Sequence, residues 1–229
     1  MMLALQAIVF DFDGVIADSE PLHLKAFQQT LAEAGLNLTA DDYYARYLGY
    51  DDVGLLRALA RDRAIPMSDG QVTTLVARKG ATLQELLSDG HVLFPGAVDF
   101  IRAAASAVPI AIASGALRHE ITEIINGAGI GDLFSTIVAA GDTPQSKPSP
   151  APYMLAFERL RLASGLHLDP HKCVAIEDSR WGLESARGAG LRCVGVTHTY
   201  SAEELPGAEL LVGSLNDLTL AALDTLCAH

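Results

Sequence analysis

Six short apolar runs, each followed by a turn or an acidic residue, constrain the fold of this chain more than any other feature. Each run is too short for a helix and too continuously apolar for a half-exposed strand, which is typical of parallel strands buried on both faces. From the second run onward the runs alternate with helical patterns, so the sequence predicts a doubly wound, Rossmann-like α/β sheet. The runs are Ala7–Phe10, Ile110–Ala113, Thr136–Val138, Val174–Ile176, Val194–Val196 and Leu210–Val212.

The stretch between the first two runs breaks the alternation. It shows only helical periodicity, on apolar residues such as Leu24, Val53 and Val72, and glycines and prolines interrupt it. Roughly seventy residues is far longer than an ordinary crossover connection, which indicates an inserted subdomain. We therefore predict an α/β core of residues 1–18 and 91–229, and a helical cap of residues 19–90.

Composition excludes several classes of protein. The formal net charge is −12 over 229 residues, which would repel nucleic acid. No apolar run approaches the ~20 residues that span a membrane, so we expect no membrane partner. Three cysteines, Cys173, Cys193 and Cys227, are odd in number and widely spaced, which predicts reduced thiols and a cytoplasmic protein.

Residues with acidic, hydroxyl or basic side chains follow four of the apolar runs. Ligands bind at the carboxyl ends of the strands in open parallel sheets, so these segments are expected to meet in one crevice. The segments are Asp11–Gly14, Ser114–Gly115, the proline-rich loop Thr143–Pro150, and Glu177–Ser179.

The predicted crevice would crowd several carboxylates around Lys147. Like charges ~4 Å apart repel by about 4 kcal/mol at an effective dielectric of 20, so some must be protonated or a cation must lie among them. Oxygen ligands fit a hard cation, and Mg²⁺ is the usual choice where a phosphate completes the shell. The absence of a His or Cys cluster argues against zinc. The carboxylates are those of Asp11, Asp13, Glu177 and Asp178.

Such a site can transfer a phosphoryl group. A carboxylate that attacks phosphorus forms an aspartyl phosphate, which water then hydrolyses. A second acid two residues further on can protonate the leaving alkoxide. Ser114 can donate a hydrogen bond to a phosphate oxygen, and Lys147 can act as a point charge on the same group.

These motifs together resemble those of the haloacid dehalogenase superfamily, especially its β-phosphoglucomutase and phosphoglycolate phosphatase group. The resemblance covers nearly the whole chain, and the inserted helices resemble the family's cap. The matching residues are Asp11–Ile16, Ser114, Lys147 within Ser-Lys-Pro, and Glu177–Asp178.

The resemblance implies a role for each matching residue. Asp11 is then the nucleophile and Asp13 the general acid/base, with Ser114 and Lys147 as further catalytic residues. Magnesium would be held by the Asp11 carboxylate, the Asp13 backbone carbonyl and Asp178, with Glu177 close by.

Two cap residues and one core glycine are candidates for substrate binding. His23 matches a position that helps to close the mutase cap, Lys79 matches a cap lysine, and Gly115 follows Ser114. The mutase carries an arginine near the glycine of its substrate loop, whereas this chain reads Leu48–Asp52, with acidic residues at 51 and 52. Two negative charges there would repel a second phosphate, which favours hydrolysis. The presence of Asp13 argues against dehalogenation.

The sequence therefore predicts a Mg²⁺-dependent phosphatase for a small phosphorylated metabolite, such as a sugar phosphate or phosphoglycolate. A phosphomutase of the β-phosphoglucomutase type is one alternative, and a non-catalytic phosphometabolite-binding protein is another. The small substrate is the expected partner, and the chain is expected to be a monomer or a homodimer.

Overall fold

The computed structural model describes residues 3–47, 50–87 and 92–228. The chain separates into two compact units, Met1–Asp18 with Gly90–His229, and Ser19–Asp89. The predicted junction between residues 90 and 91 falls outside the described residues, so the proposed domain boundaries stay a prediction.

Within the described residues, six strands form a single parallel sheet in the first unit. In chain order the strands are β1 (Ala7–Phe10), β2 (Ile110–Ala113), β3 (Thr136–Val138), β4 (Cys173–Glu177), β5 (Arg192–Val196) and β6 (Leu210–Val212). Their order in the sheet is β3-β2-β1-β4-β5-β6, so β2 and β3 lie on one side of β1, and β4, β5 and β6 lie on the other. The prediction of a doubly wound parallel sheet is confirmed.

The register places the ends of the central strands side by side. Phe10, the last residue of β1, pairs with Ile112 of β2 and with Ile176 of β4. The residues that follow these positions therefore emerge together at the carboxyl ends of the strands, as the sequence predicts.

The central strands β1, β2 and β4 are buried on both faces, as predicted, but the edge strand β6 is not. Ala7 and Val9 belong to the core cluster on one face, while Phe10 makes edge-on ring contacts with Phe100 and Phe134 at 6.1 and 6.2 Å. The prediction of full burial is wrong for β6, where Leu211 is 40% exposed, because an edge strand has a neighbour on one side alone.

Helices connect the strands, as the alternating pattern predicts. The pattern did not predict the last helix, Leu220–Cys227, whose first turn is capped by Thr219, which accepts a hydrogen bond from the amide of Ala222. No described helix is both long and apolar enough to cross a membrane. The helices of this unit are α5 (Ala97–Ala107), α6 (Arg118–Gly127), α7 (Ala151–Ser164), α8 (Arg180–Gly188) and α9 (Leu220–Cys227), after α1 (Glu20–Glu33), α2 (Ala40–Asp42), α3 (Asp52–Asp62) and α4 (Asp69–Leu87) of the second unit.

Backbone hydrogen bonds close the point at which the second unit is inserted. The amide of Asp18 donates to the carbonyl of Val92 at 2.7 Å, and the amide of Phe94 donates to the carbonyl of Ile16 at 3.0 Å. Ala17 and Leu93 form an antiparallel bridge between these bonds. The two ends of the core at the insertion thus lie side by side.

The second unit is helical, as its periodicity predicts. Leu24, Phe27 and Leu31 of α1 share a buried cluster with residues of α3 and α4. Val53, which belongs to the apolar periodicity, is 40% exposed, because it lies in the first turn of α3 and the buried residues of this helix begin at Leu55. A π-helical turn, Tyr43–Tyr47, follows α2.

The reactivity of the cysteines tests the packing of the core. Cys173 and Cys193 are free and fully buried in β4 and β5, and burial raises the pKa of each thiol to about 12. Since the thiolate is the reactive species, we expect neither to react with a colorimetric thiol reagent at pH 8 in the native protein. All three cysteines should react after unfolding in denaturant. Rapid modification of either strand cysteine in the native state would contradict this packing.

Candidate active site

Asp11 lies where β1 leaves the sheet. Its amide donates to the carbonyl of Ile176 in β4 at 2.9 Å, which continues the strand pairing by one residue. Its carboxylate oxygen Oδ1 accepts from the amide of Phe12 at 2.7 Å, and the residue is 8% exposed. The end of the strand therefore fixes both the backbone and the carboxylate of Asp11.

Lys147 reaches Asp11 from the loop that follows β3. Its Nζ lies 2.8 Å from Asp11 Oδ1 and 2.6 Å from Glu177 Oε1. Burial disfavours the charge of the ammonium, but the carboxylates of Asp11 and Glu177 outweigh it and raise the pKa of Lys147 above its usual value. Lys147 is therefore charged and bridges two acidic residues.

Three carboxylates crowd around this point. Oxygens of Asp11, Glu177 and Asp178 lie within 4.8 Å of one another. Burial, followed by the charge of Glu177, raises the pKa of Asp11 well above its usual value. Burial likewise raises the pKa of Asp178 to about 6. Burial and the repulsion from Glu177 therefore outweigh the stabilising effect of Lys147 on these two carboxylates, and the all-oxygen donor set suits a hard divalent cation.

Glu177, the last residue of β4, is fully buried and held on both oxygens. Oε1 accepts from Lys147 and from the hydroxyl of Tyr153 at 2.7 Å, and Oε2 accepts from the hydroxyl of Ser179 at 3.2 Å. A Cβ at Gly182 would lie 1.9 Å from the Glu177 carboxylate. Glycine at this position thus allows α8 to approach the end of β4.

Gly14 forms a left-handed turn after the first motif, with φ of +75°. A Cβ there would lie 1.9 Å from Asp178 Oδ2 and 2.9 Å from Thr199 Oγ1. The Gly14 carbonyl accepts a hydrogen bond from His198 at 2.9 Å, so Nδ1 of His198 carries a proton. Asp13 precedes this glycine and is partly exposed; its catalytic and metal-binding roles stay predictions.

Sequence reasoning missed Tyr153, His198 and Thr199. Tyr153 lies in the apolar stripe of α7, where the pattern gave it a purely structural role. His198 and Thr199 follow β5, and the Thr199 side chain hydrogen-bonds to Asp178. Their position just after a parallel strand was the one available signal.

Ser114 and Gly115 line a cavity with Lys147. The cavity has a volume of about 280 Å³, and residues of the 139–146 loop form its other wall. Ser114 is 5% exposed, and its Oγ accepts from the amide of Ala116 at 3.0 Å. Because that bond uses a lone pair of the oxygen, the hydroxyl proton can be donated elsewhere.

His23 and Lys79, the substrate-binding candidates of the second unit, contact each other. Lys79 is 2% exposed, and its Nζ lies 3.0 Å from His23 Nδ1 and 2.9 Å from Asp52 Oδ1. Burial and the charge of Lys79 lower the pKa of His23 to about 4, so this imidazole is neutral at pH 7. Substrate binding by His23 and Lys79 stays a prediction.

The two acidic side chains of this segment bind partners within the second unit. Asp52 pairs with Lys79, and Asp51 caps α3 by accepting from the amide of Gly54 at 2.7 Å. Leu48 and Gly49, the start of the predicted substrate loop, lie outside the described residues.

Comparison with known proteins agrees with this architecture. The family model of haloacid dehalogenase-like hydrolases matches residues 5–190. Protein CbbY of Rhodobacter capsulatus is 32% identical over 232 residues, which cover 98% of this chain and 100% of that protein. The chain belongs to the haloacid dehalogenase-like hydrolase family. The predictions of superfamily and of a hydrolytic enzyme are therefore confirmed.

Two further relatives add detail to this membership. The phosphorylated carbohydrates phosphatase of Thermotoga maritima is 29% identical and covers 86% of this hydrolase and 88% of its own length. A crystal structure of a CbbY variant from Rhodobacter sphaeroides in complex with xylulose-(1,5)bisphosphate superposes with a TM-score of 0.80. It is 28% identical and covers 96% of this hydrolase and 99% of its own chain.

The close contact between Gly14 and Asp178 can be tested by comparing two glycine-to-alanine substitutions. Gly129 has a similar φ of +65°, and no described atom would lie within 4 Å of a Cβ added there. Gly129→Ala should therefore cost only the strain of a left-handed residue, about 1–2 kcal/mol. Gly14→Ala should cost distinctly more, because the new Cβ must displace Asp178. Urea denaturation measures both, and equal losses of unfolding free energy would refute the close approach.

Proposed function

We propose that this hydrolase releases inorganic phosphate from a small phosphorylated metabolite, a sugar phosphate or phosphoglycolate, through an aspartyl phosphate on Asp11. The contact of Lys147 Nζ with Asp11 Oδ1 at 2.8 Å, beside two further carboxylates, is the observation that carries the proposal. A buried carboxylate fixed by a lysine is suited to attack phosphorus, and the family match supports hydrolytic chemistry.

The first step transfers the phosphoryl group to Asp11. A carboxylate oxygen of Asp11 bonds to phosphorus as the bond from phosphorus to the leaving oxygen breaks. Asp13 gives its proton to that oxygen, so the product leaves as an alcohol. Lys147 and the Ser114 hydroxyl balance the charge on the phosphoryl oxygens.

The second step restores the enzyme. Asp13, now a carboxylate, takes a proton from a water molecule that attacks the phosphorus of the aspartyl phosphate. The bond between phosphorus and Asp11 breaks, and inorganic phosphate leaves. Asp11 is again a carboxylate and Asp13 again carries its proton, so the cycle closes.

The acidic cluster fits a magnesium ion. Asp11 and Asp178 would hold it with the backbone carbonyl of Asp13, and Glu177 would lie beside it. The ion supplies positive charge that offsets both the carboxylates and the phosphate. It would also favour the deprotonated form of Asp11, whose pKa burial otherwise raises.

The charge balance of the second unit supports a substrate with one phosphate over a bisphosphate. The ammonium of Lys79 is buried and paired with Asp52, so its charge is already balanced within that unit. This supports hydrolysis over phosphomutase chemistry, in which a second phosphate must be held. The solved CbbY complex contains a bisphosphorylated sugar, so substrates of both kinds belong in the test.

A panel of phosphorylated metabolites, assayed with and without magnesium, tests the proposal. We expect Mg²⁺-dependent phosphate release from a small monophosphate. Asp11→Asn should lower kcat by roughly 10³-fold or more, because the amide is a poor nucleophile. Asp132→Asn, at an exposed site of the same unit, is the matched control and should keep full activity.

Other outcomes would favour the alternatives. Isomerisation stimulated by a bisphosphorylated sugar, with little phosphate release, would establish a phosphomutase. Magnesium and ligand binding without turnover across the panel would establish a binding protein. Full activity of Asp11→Asn would show that the nucleophile is assigned wrongly.

The pKa of Asp178 predicts how magnesium stabilises the protein. Because burial raises this pKa to about 6, the ion-free protein loses stability as pH rises towards 6 and the carboxylate becomes charged. Magnesium binds the charged form, so its effect on Tm should be small at pH 5 and larger at pH 7.5. At a magnesium concentration of 100 times the Kd, binding adds about 2.7 kcal/mol to the free energy of unfolding. This gain raises Tm by roughly 5–10 °C.

Differential scanning fluorimetry measures this shift in Tm. Asp178→Asn should abolish the magnesium-dependent shift, whereas Asp132→Asn should retain it. An equal shift at both pH values would contradict the involvement of Asp178.

A further inference from the structure

Tyr153 is a buried tyrosine of α7 that contacts two groups of the candidate site. Its hydroxyl donates to Glu177 Oε1 at 2.7 Å, and the residue is fully buried. The Nζ of Lys147 lies 5.2 Å from the centroid of its ring, within the range of a cation–π interaction. One side chain thus contacts both an acidic residue and the ammonium that neutralises it.

The hydroxyl of Tyr153 shares its acceptor with Lys147. Glu177 Oε1 accepts from both groups, and the same Nζ of Lys147 also contacts Asp11 Oδ1. The contacts therefore form a continuous line from α7 through the end of β4 and the loop after β3 to the end of β1.

We propose that Tyr153 is a positioning residue for Lys147, and that it holds the ammonium between Glu177 and Asp11 during phosphoryl transfer. This role rests on the proposed phosphatase function. Tyr153 contacts neither the substrate nor the nucleophile in this assignment, and it acts through Lys147 and Glu177.

Competition for Glu177 explains why the hydroxyl matters. A lysine side chain is a flexible stem with a compact charge, so neighbouring groups determine where its ammonium lies. With the tyrosine hydroxyl present, the negative charge of Oε1 is divided between two donors. Without it, Oε1 attracts Lys147 alone, and the ammonium moves towards Glu177 and away from Asp11 and the phosphoryl group.

Tyr153→Phe removes the hydroxyl and keeps the ring, the packing and the cation–π contact. We expect kcat to fall about tenfold, because small displacements of catalytic groups slow the reaction strongly, while KM stays within about twofold. Tyr47→Phe is the matched control, since Tyr47 is 1% exposed and its hydroxyl lies 3.4 Å from Asp62 Oδ2 in the second unit. The control should keep the wild-type kcat, and Tm and circular dichroism verify that both variants fold.

A double-mutant cycle separates positioning from packing. Glu177→Gln removes the negative charge of the acceptor that Tyr153 and Lys147 share, so it should lower kcat by itself. Tyr153→Phe should then have less than about a twofold further effect, because coupled residues are not additive. An unchanged kcat in Tyr153→Phe, the same factor in both backgrounds, or a loss that only follows the loss of folded protein would each overturn the proposal.

The two proposals fail in different ways. A wild-type protein without phosphatase turnover overturns the proposed function and the role of Tyr153 with it. A wild-type protein that turns over, with a Tyr153→Phe variant as fast, overturns only the role of Tyr153.

Discussion

The attraction between Lys147 and the buried carboxylates of Asp11 and Glu177 is the interaction on which this site depends. Burial makes the carboxylate of Asp11 costly to ionise, and the ammonium of Lys147 offsets part of that cost. Under the proposed function, the remaining negative charge would hold a divalent cation. A dianionic phosphate could then approach a protein whose formal net charge is −12, because Lys147 and the ion would concentrate positive charge at one point.

The parallel sheet makes this concentration possible. β1, β2 and β4 are paired in register, so the residues that follow them emerge at one edge. Close packing behind the site is equally necessary. Gly182 brings α8 against Glu177, and Gly14 brings the turn after β1 against Asp178. Small residues at these positions let the carboxylates approach one another to within ligand distance of a single ion.

Much of the fold and part of the site could be predicted from the sequence. Strand burial in a parallel sheet leaves a continuous apolar run, and the residues after such runs are candidates by position alone. Tyr153 could not be predicted, because its contact with Glu177 depends on how α7 packs on the sheet and leaves no pattern in the chain. The exposure of Leu211 was missed because strand order, which decides the edge, is not encoded in local periodicity.

The backbone bonds that tie Asp18 to Val92 and Phe94 to Ile16 have an evolutionary consequence. They join the two ends of the first unit at the site of insertion through main-chain groups, which every residue type except proline can supply. The first unit can therefore tolerate exchange, shortening or rapid divergence of the segment between those bonds while its own strand ladder stays intact. Selection can thus act on two separate stretches of the gene independently.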